Sequence, residues 1–244
     1  MVGIYWDCDG TLMDTETSYG LAWKEHLSNF GLEISEEETR QWVGIDDRLV
    51  HSFYSKIVDL ENFDKTMASL GKIIETTLNE QLLFQDAKTL LEESDKRGWT
   101  SACVSASPYE LLKNKLLKAN IYEYFSYVIG GDLVKRNKPY PDIYNKAISE
   151  LQTTKNIVIE DSPPGISSGK ASGTFVVAID RGIFSKNELD KADLVIDKLS
   201  TIRSALFNSL IENMPLSIAT TKEPDALPDE IPGGLSSMTI FFVV

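Results

Sequence analysis

Short apolar runs of strand length alternate with helical stretches over much of this 244-residue chain. The run VGIYW comes first, and TSACV, YVIGG, NIVIE, FVVAI and DLVI follow it. Amphipathic stretches such as DAKTLLEESDKRG and YELLKNKLLKAN separate several of these runs. Alternating strands and helices indicate a parallel sheet with helices on both of its faces. The sequence therefore predicts an α/β fold with a doubly wound, Rossmann-like core.

The segment 16–83 interrupts this alternation, because its apolar residues recur at helical spacing. Ser35, followed by three glutamates, is typical of a helix N-terminus. We therefore predict a core formed by 1–15 and 84–207, with 16–83 inserted after the first strand as a helical cap. We predict a C-terminal extension over 208–244, with a proline-rich acidic linker at 222–234. Its last run, TIFFVV, could add an edge strand here or in a neighbouring chain.

Charge and composition restrict the partners of this chain. It carries 37 acidic against 24 basic residues, a formal net charge of -13, which disfavours nucleic acid and anionic membranes. Two cysteines favour a reducing compartment over a disulfide-bonded secreted fold. The sequence shows neither a basic signal-peptide start nor a run of about 18 to 20 apolar residues. We expect a cytoplasmic protein, and a site for phosphate in it would need a cation.

Polar residues follow the apolar runs at the points where the predicted strands end. In an open α/β sheet, ligands bind outside the carboxyl ends of the strands, so these side chains are expected to converge. Carboxylates, hydroxyls and a lysine together suit Mg²⁺ and a phosphoryl group. The residues are Asp7, Asp9 and Thr11 after the first run, Ser105 and Ser107 after TSACV, Lys138 after YVIGG, and Glu160 with Asp161 after NIVI.

Each of these residues alone has a simpler explanation. Asp7 and Asp9 are residues that form turns, and Ser105 could cap the next helix. Lys138 could be a solvated loop lysine. Asp161 or Ser162 could cap a helix that begins with proline. The chemical interpretation depends on finding all of them together, in order, each after an apolar run.

The same residues match four motifs of the haloacid dehalogenase superfamily. The first motif stands here as DCDGTL, the second as Ser105 in CVSAS, the third as Lys138 in KPYPD, and the fourth as EDSPPGI at 160–166. The helical insert resembles the type 1 cap of the β-phosphoglucomutase-like and phosphoglycolate-phosphatase-like branch. The resemblance covers about residues 1–207.

This resemblance implies a role for each matched residue. Asp7 would be the nucleophile that forms an aspartyl phosphate, and Asp9 would be the general acid and base. Residues two apart in an extended stretch face the same side, so both carboxylates can reach one phosphoryl group. Mg²⁺ would be held by Asp7, the backbone carbonyl of Asp9, Glu160 and Asp161, and the phosphoryl group would be bound by Thr11, Ser105 and Lys138. The cap would exclude water as a lid, and its Arg48 could hold a second anionic group of the substrate or be a solvated helix arginine.

The function expected from the resemblance is Mg²⁺-dependent hydrolysis of a small phosphate monoester, such as a sugar phosphate, by a chain that we expect to be monomeric. One alternative is a β-phosphoglucomutase-type mutase. It is disfavoured because Tyr19 stands where that pattern has a histidine, and Pro108 and Tyr109 stand where it has Lys-Asn. The other alternative, a non-catalytic binding protein on the same fold, is disfavoured because Asp7 and Asp9 are both present.

Overall fold

The structure, a computed structural model, describes residues 1–42, 47–77, 82–202 and 241–242. Its contacts divide the chain into two compact units. One unit takes in Met1–Asp14 and Asn79–Asp225, and the other takes in Thr15–Leu78 and Ala226–Val244. The predicted extension, 208–244, lies outside the described residues apart from 241–242.

The first unit contains a parallel six-stranded sheet, in the order β4-β3-β1-β5-β6-β7. Its strands are β1 (Val2–Trp6), β3 (Thr100–Ser105), β4 (Tyr127–Gly130), β5 (Lys155–Glu160), β6 (Phe175–Ile179) and β7 (Leu194–Ile196). Its helices are α5 (Gln85–Lys96), α6 (Tyr109–Lys118), α7 (Asp142–Leu151), α8 (Pro163–Ala171) and the short α9 (Lys186–Leu189). The predicted doubly wound α/β fold is confirmed.

A hydrophobic core lies on each face of this sheet. Ile4 and Trp6 of β1 are buried in the core that contains apolar residues of α5 and α6. Tyr5, between them in the sequence, belongs to the opposite core, which contains apolar residues of α7 and α8. Successive side chains of a strand point to opposite faces, so a strand covered on both sides is apolar throughout. This explains why the strands appear in the sequence as continuous apolar runs.

The second unit is mainly helical, and its larger part, Thr15–Leu78, follows β1 and the loop after it. Its helices are α1 (Glu16–Ser28), α2 (Glu36–Arg40), α3 (Asp47–Tyr54) and α4 (Phe63–Thr77). A two-stranded antiparallel sheet joins β2 (Leu32–Glu33) to β8 (Phe241–Phe242), so two residues of the terminal run TIFFVV form an edge strand. The predicted role of 16–83 as a cap stays a prediction.

Local contacts explain two features of this helical unit. Ser35 begins α2 through a capping box, in which its Oγ accepts from the backbone nitrogen of Glu38 while the Glu38 carboxylate accepts from the backbone nitrogen of Ser35. His26 is buried and its Nδ1 lies 3.1 Å from Ser69 Oγ, which joins α1 to α4.

Within the described residues, no helix combines the length and the apolar character needed to cross a bilayer.

Candidate active site

The predicted core residues lie at the carboxyl edge of the parallel sheet. Asp7 directly follows β1, while β3 and β5 end at Ser105 and Glu160. Lys138 lies in the loop between β4 and α7. Because the strands are parallel and adjacent, their carboxyl ends bring these side chains together. The predicted residues form two neighbouring groups. Hydrogen bonds and close carboxylates connect the first group, which consists of Asp7, Thr11, Lys138, Glu160 and Asp161. A hydrogen bond connects Asp9 and Ser105 in the second group.

Lys138 is a buried cation that links two of the carboxylates. Its Nζ donates to Asp7 Oδ1 and to Glu160 Oε1, at 2.6 Å each, and to the backbone oxygen of Val104 at 2.8 Å. An ammonium has three N–H donors, so these contacts use all of them. The same Nζ lies 5.1 Å from the ring centroid of Tyr144. The loop lysine is therefore not solvated, since only 3% of its side chain is exposed.

The charges of this group shift the pKa values of its members. Burial raises the pKa of Asp7 well above its usual value, and the negative charge of Glu160 raises it further, while Lys138 opposes both effects. Burial on its own would lower the pKa of Lys138, but Asp7 and Glu160 outweigh it, so the pKa lies well above its usual value. Lys138 therefore stays charged. A cation bound beside Asp7 would favour the ionised form of its carboxyl group.

Both oxygens of the Glu160 carboxylate have several donors. Oε1 accepts from Lys138 and from the Tyr144 hydroxyl at 3.0 Å. Oε2 accepts from the backbone nitrogens of Asp161 and Ser162, at 3.2 and 3.3 Å, and from Ser162 Oγ at 3.0 Å. These contacts fix a fully buried side chain, and they place one of its oxygens where it holds Lys138 against Asp7.

The start of α8 is built closely around Glu160. Ser162 caps this helix by accepting from the backbone nitrogen of Gly165 at 3.3 Å, so the capping interpretation of Ser162 is confirmed. A Cβ at position 165 would lie 1.7 Å from Glu160 Oε1. Glycine therefore permits the helix to begin beside the carboxylate.

Three buried carboxylates fit the donor requirements of Mg²⁺. Oxygens of Asp7, Glu160 and Asp161 all lie within 4.8 Å of one another. Carboxylate oxygens are the ligand type that this hard cation prefers. Lys138 supplies one positive charge against three carboxylates, which leaves an excess of negative charge that a divalent ion would balance. The residues present therefore fit the group that the family resemblance implies.

Thr11 has a partner that was not predicted for it. Its Oγ1 donates to Asp161 Oδ1 at 3.0 Å, and the residue is fully buried. Its predicted part in binding the phosphoryl group stays a prediction. In the structure, Thr11 orients the Asp161 carboxylate.

The Asp9 carboxylate contacts a second group of donors. Its Oδ2 accepts from Ser105 Oγ at 3.2 Å and from Ser107 Oγ at 2.9 Å, while its Oδ1 lies 2.5 Å from Lys115 Nζ. The Ser105 hydroxyl, predicted to bind phosphate, thus donates to Asp9 here. The alternative that Ser105 caps the next helix is wrong, because α6 begins at Tyr109 and its N-cap residue is Pro108.

Lys115 and Tyr144 belong to this edge of the sheet, and the sequence analysis missed both. Lys115 lies six residues beyond Tyr109, so it does not appear as part of the second motif. Although Pro108 and Tyr109 supply no cation after Ser107, the ammonium of Lys115 reaches Ser107 Oγ from about one turn and a half further along α6. One sequence signal was present, since Lys115 occupies an apolar position of an amphipathic helix.

Arg48 lies in α3 of the helical unit. Its guanidinium carbon is 4.5 Å from the ring centroid of Phe63, so the arginine stacks on an aromatic ring. Its predicted part in substrate binding stays a prediction.

A family model described as haloacid dehalogenase-like hydrolase matches residues 4–179. This match spans well over half of the chain and includes Asp7, Ser105 and Glu160. The chain belongs to the haloacid dehalogenase-like hydrolase family, and the predicted superfamily is thereby confirmed.

One curated relative and two solved structures are similar to this chain. A phosphorylated carbohydrates phosphatase from Thermotoga maritima is 28% identical over 180 residues, which covers 71% of this chain and 82% of the relative. A crystal structure of a HAD hydrolase, family IA, variant 3, from Entamoeba histolytica has a TM-score of 0.77 at 24% identity, covering 87% of this chain and 100% of that one. A β-phosphoglucomutase from Clostridium difficile has a TM-score of 0.74 at 20% identity, covering 87% and 98%. The two structures show a shared fold.

Proposed function

We propose that this chain is a Mg²⁺-dependent phosphatase of small phosphate monoesters that acts through an aspartyl phosphate on Asp7. The observation that carries the proposal is the placement of Asp7 at the end of β1, bound by the buried ammonium of Lys138 and close to Glu160 and Asp161. Nucleophile, cation and candidate metal ligands thus share one edge of the sheet. The family membership and the similarity to a carbohydrate phosphatase support a phosphoryl-transfer reaction at this site.

The first step breaks the ester bond. A carboxylate oxygen of Asp7 forms a bond to phosphorus while the bond from phosphorus to the ester oxygen breaks. Asp9 gives its proton to the departing oxygen, which leaves as an alcohol. Lys138 offsets the negative charge between Asp7 and the phosphoryl oxygens, and such preorganised charge is usually the largest single contribution to catalysis.

The second step returns the enzyme to its starting state. Asp9 takes a proton from a water molecule, whose oxygen forms a bond to phosphorus while the bond from Asp7 to phosphorus breaks. Inorganic phosphate is released, and Asp9 again carries the proton that it gave away.

Asp7, Glu160, Asp161 and the backbone carbonyl of Asp9 would hold Mg²⁺. When bound, this ion would polarise the phosphoryl group and keep the nucleophilic carboxyl ionised. Thr11 orients Asp161 through its hydroxyl, and Glu160 holds Lys138 against Asp7. Arg48 is the residue of the helical unit that we propose for contact with a second anionic group of the substrate.

The proposal is tested by product analysis on a panel of phosphorylated sugars and small acids, with Mg²⁺ and with EDTA. We expect release of inorganic phosphate that requires the metal. A separate reaction with β-glucose 1-phosphate and glucose 1,6-bisphosphate distinguishes the mutase. Efficient formation of glucose 6-phosphate with little free phosphate would contradict the proposal and favour a mutase. No turnover of any member, with Mg²⁺ present, would favour a binding protein.

A further inference from the structure

A lysine stands on the apolar face of α6. The buried side of this helix consists of Leu112, Lys115 and Leu116, with Ala119 one turn later. These positions follow the i, i+3, i+4, i+7 spacing of a core-facing stripe. A buried ammonium is costly unless ionic or hydrogen-bonding partners surround it. The partners of Lys115 therefore explain why a charged residue occupies this position.

Those partners centre on Asp9. The Lys115 ammonium lies 2.5 Å from Asp9 Oδ1 and 3.2 Å from Ser107 Oγ. Ser107 Oγ in turn donates to the other Asp9 oxygen, Oδ2, at 2.9 Å, and Ser105 Oγ donates to that same oxygen. One ammonium and two hydroxyls thus bind the two oxygens of a single carboxylate. Such a set of donors restricts the rotation of the carboxylate far more than one contact does.

Lys115 has no route to the substrate, because none of its side chain is exposed, whereas 18% of the Asp9 side chain is. We infer that Lys115 is a positioning residue that orients the ionised Asp9 carboxylate, the form that takes the proton from the attacking water. This inference rests on the proposed function, in which Asp9 performs both transfers. Proton transfer requires a geometry of hydrogen-bond quality, so a loosely held carboxylate would transfer protons slowly even with its chemistry unchanged.

The two steps differ in how much they need Asp9, and this difference provides the test. p-Nitrophenolate is a stable leaving group that departs with little help from a general acid, whereas the alkoxide of β-glycerophosphate needs a proton. Hydrolysis of the aspartyl phosphate needs the base for either substrate. If the Asp9 carboxylate is no longer held in place, dephosphorylation and alkyl-ester cleavage should therefore slow more than phosphorylation by p-nitrophenyl phosphate does.

The variant is Lys115→Met, which keeps an unbranched side chain in an apolar position and removes the ammonium. Rapid-quench kinetics with p-nitrophenyl phosphate follow the phosphoenzyme, and steady-state kinetics follow β-glycerophosphate. We expect dephosphorylation and β-glycerophosphate turnover to fall about 10- to 100-fold, part of the 10²- to 10⁴-fold that general acid–base catalysis supplies. Phosphorylation by p-nitrophenyl phosphate should fall less, so the fraction of enzyme trapped as phosphoenzyme should rise above the wild-type level.

Lys118→Met is the matched control, because Lys118 is an exposed lysine near the end of the same helix. It should leave the phosphoenzyme fraction unchanged. Equal losses in all three measurements for folded Lys115→Met, or no losses, would overturn the inference.

If Lys115→Met does not fold, Ser107→Ala removes one donor from Asp9 Oδ2 and one acceptor from Lys115. A rise in the phosphoenzyme fraction above the wild-type level, smaller than the one expected for Lys115→Met, would support the positioning role. An unchanged fraction would overturn it. Wild-type enzyme that forms no phosphoenzyme and releases no phosphate would instead refute the proposed function itself. If the wild-type enzyme is active and Lys115→Met has the same phosphoenzyme fraction, the role of Lys115 alone is refuted.

Discussion

A Cβ on Gly10 would lie 2.1 Å from Asp161 Oδ2, so the loop after β1 reaches the Asp161 carboxylate only with glycine at this position. The backbone there has a φ of 80°, in the left-handed region that side chains disfavour. The glycine of the first motif thus serves a candidate metal ligand that comes from the fourth motif. The position of the Asp161 carboxylate therefore depends on the residue at position 10.

Substitution of Gly10 by alanine should therefore damage the metal site. We expect Gly10→Ala to displace Asp161 and to raise the Mg²⁺ concentration for half-maximal activity about 10- to 100-fold, the usual cost of disturbing groups around metal ligands. Gly182→Ala is the matched control, because Gly182 has the same φ of 80° and no atom within 4 Å of its Cβ position. Both variants should lose about 1–2 kcal/mol of unfolding free energy to backbone strain. Equal Mg²⁺ requirements in the two variants would rule out this dependence.

Direct removal of a candidate ligand should have the same effect on the metal. Asp161→Ala leaves fewer carboxylates to hold a hard cation, so we expect a strong increase in the Mg²⁺ requirement. EDTA should abolish wild-type turnover, and added Mg²⁺ should restore it. Asp190→Ala, at the exposed aspartate directly after α9, serves as the control. Full activity of wild-type enzyme in EDTA would show that no metal is needed.

Loss of the buried ammonium of Lys138 should slow the reaction. Lys138→Met removes three hydrogen bonds beside the nucleophile, and we expect kcat to fall about 10²- to 10³-fold, as for other preorganised donors. Lys170→Met removes a partly exposed ion pair with Asp193, which is worth at most about 1 kcal/mol of stability, and should leave kcat unchanged. Steady-state kinetics and thermal unfolding of both variants make the comparison. Near wild-type kcat for Lys138→Met would mean that the ammonium is not part of the reaction.

An ion pair at the start of α5 gives a pH-dependent prediction for stability. Asp86 accepts two hydrogen bonds from Arg181 and one from the backbone nitrogen of Leu199. Burial alone would raise the pKa of Asp86, but these donors outweigh it and lower the pKa below 3.8. The folded state thus binds a proton less readily than the unfolded state does. The ion pair stabilises the fold above pH 3.8, and this contribution disappears as the pH falls through the lowered pKa.

Asp86→Asn should therefore cost about 1.5–3 kcal/mol of unfolding free energy near neutral pH, the range for hydrogen bonds to charged groups. The difference from wild type should shrink as the pH falls below 3.8. Urea unfolding over a pH series measures it. A difference that stays constant over the whole series would show that the Asp86 charge does not contribute.

The sequence predicted the sheet because burial on both faces leaves a clear pattern. β1 is apolar along its whole length and β5 is apolar at Ile157, Val158 and Ile159, and the residues that follow these runs are those that the structure gathers at the sheet edge. Parallel strands all end at the same edge, so a list of residues after apolar runs was enough to find Asp7, Lys138 and Glu160. This part of the prediction needed no knowledge of side-chain contacts.

Hydrogen-bond partners were harder to predict, because one donor can serve several acceptors at similar distance. The bond from Thr11 to Asp161, which lie 150 residues apart in the sequence, was not predicted. Lys115 was missed because a lysine in an amphipathic helix usually lies on the solvated face. Only the packing of α6 against the sheet shows that this lysine points inward to Asp9.

The most direct test of the proposed mechanism locates the phosphoryl group on the enzyme. Wild-type protein is mixed with p-nitrophenyl phosphate and Mg²⁺, quenched in acid within one turnover, and mapped by peptide mass spectrometry. We expect one phosphoryl group on Asp7, which decays to inorganic phosphate when the quench is delayed, and neither label nor turnover in Asp7→Asn, whose amide is a poor nucleophile. Phosphate release by folded Asp7→Asn at near wild-type rate, or a phosphoryl group mapped to another residue, would contradict a nucleophilic Asp7.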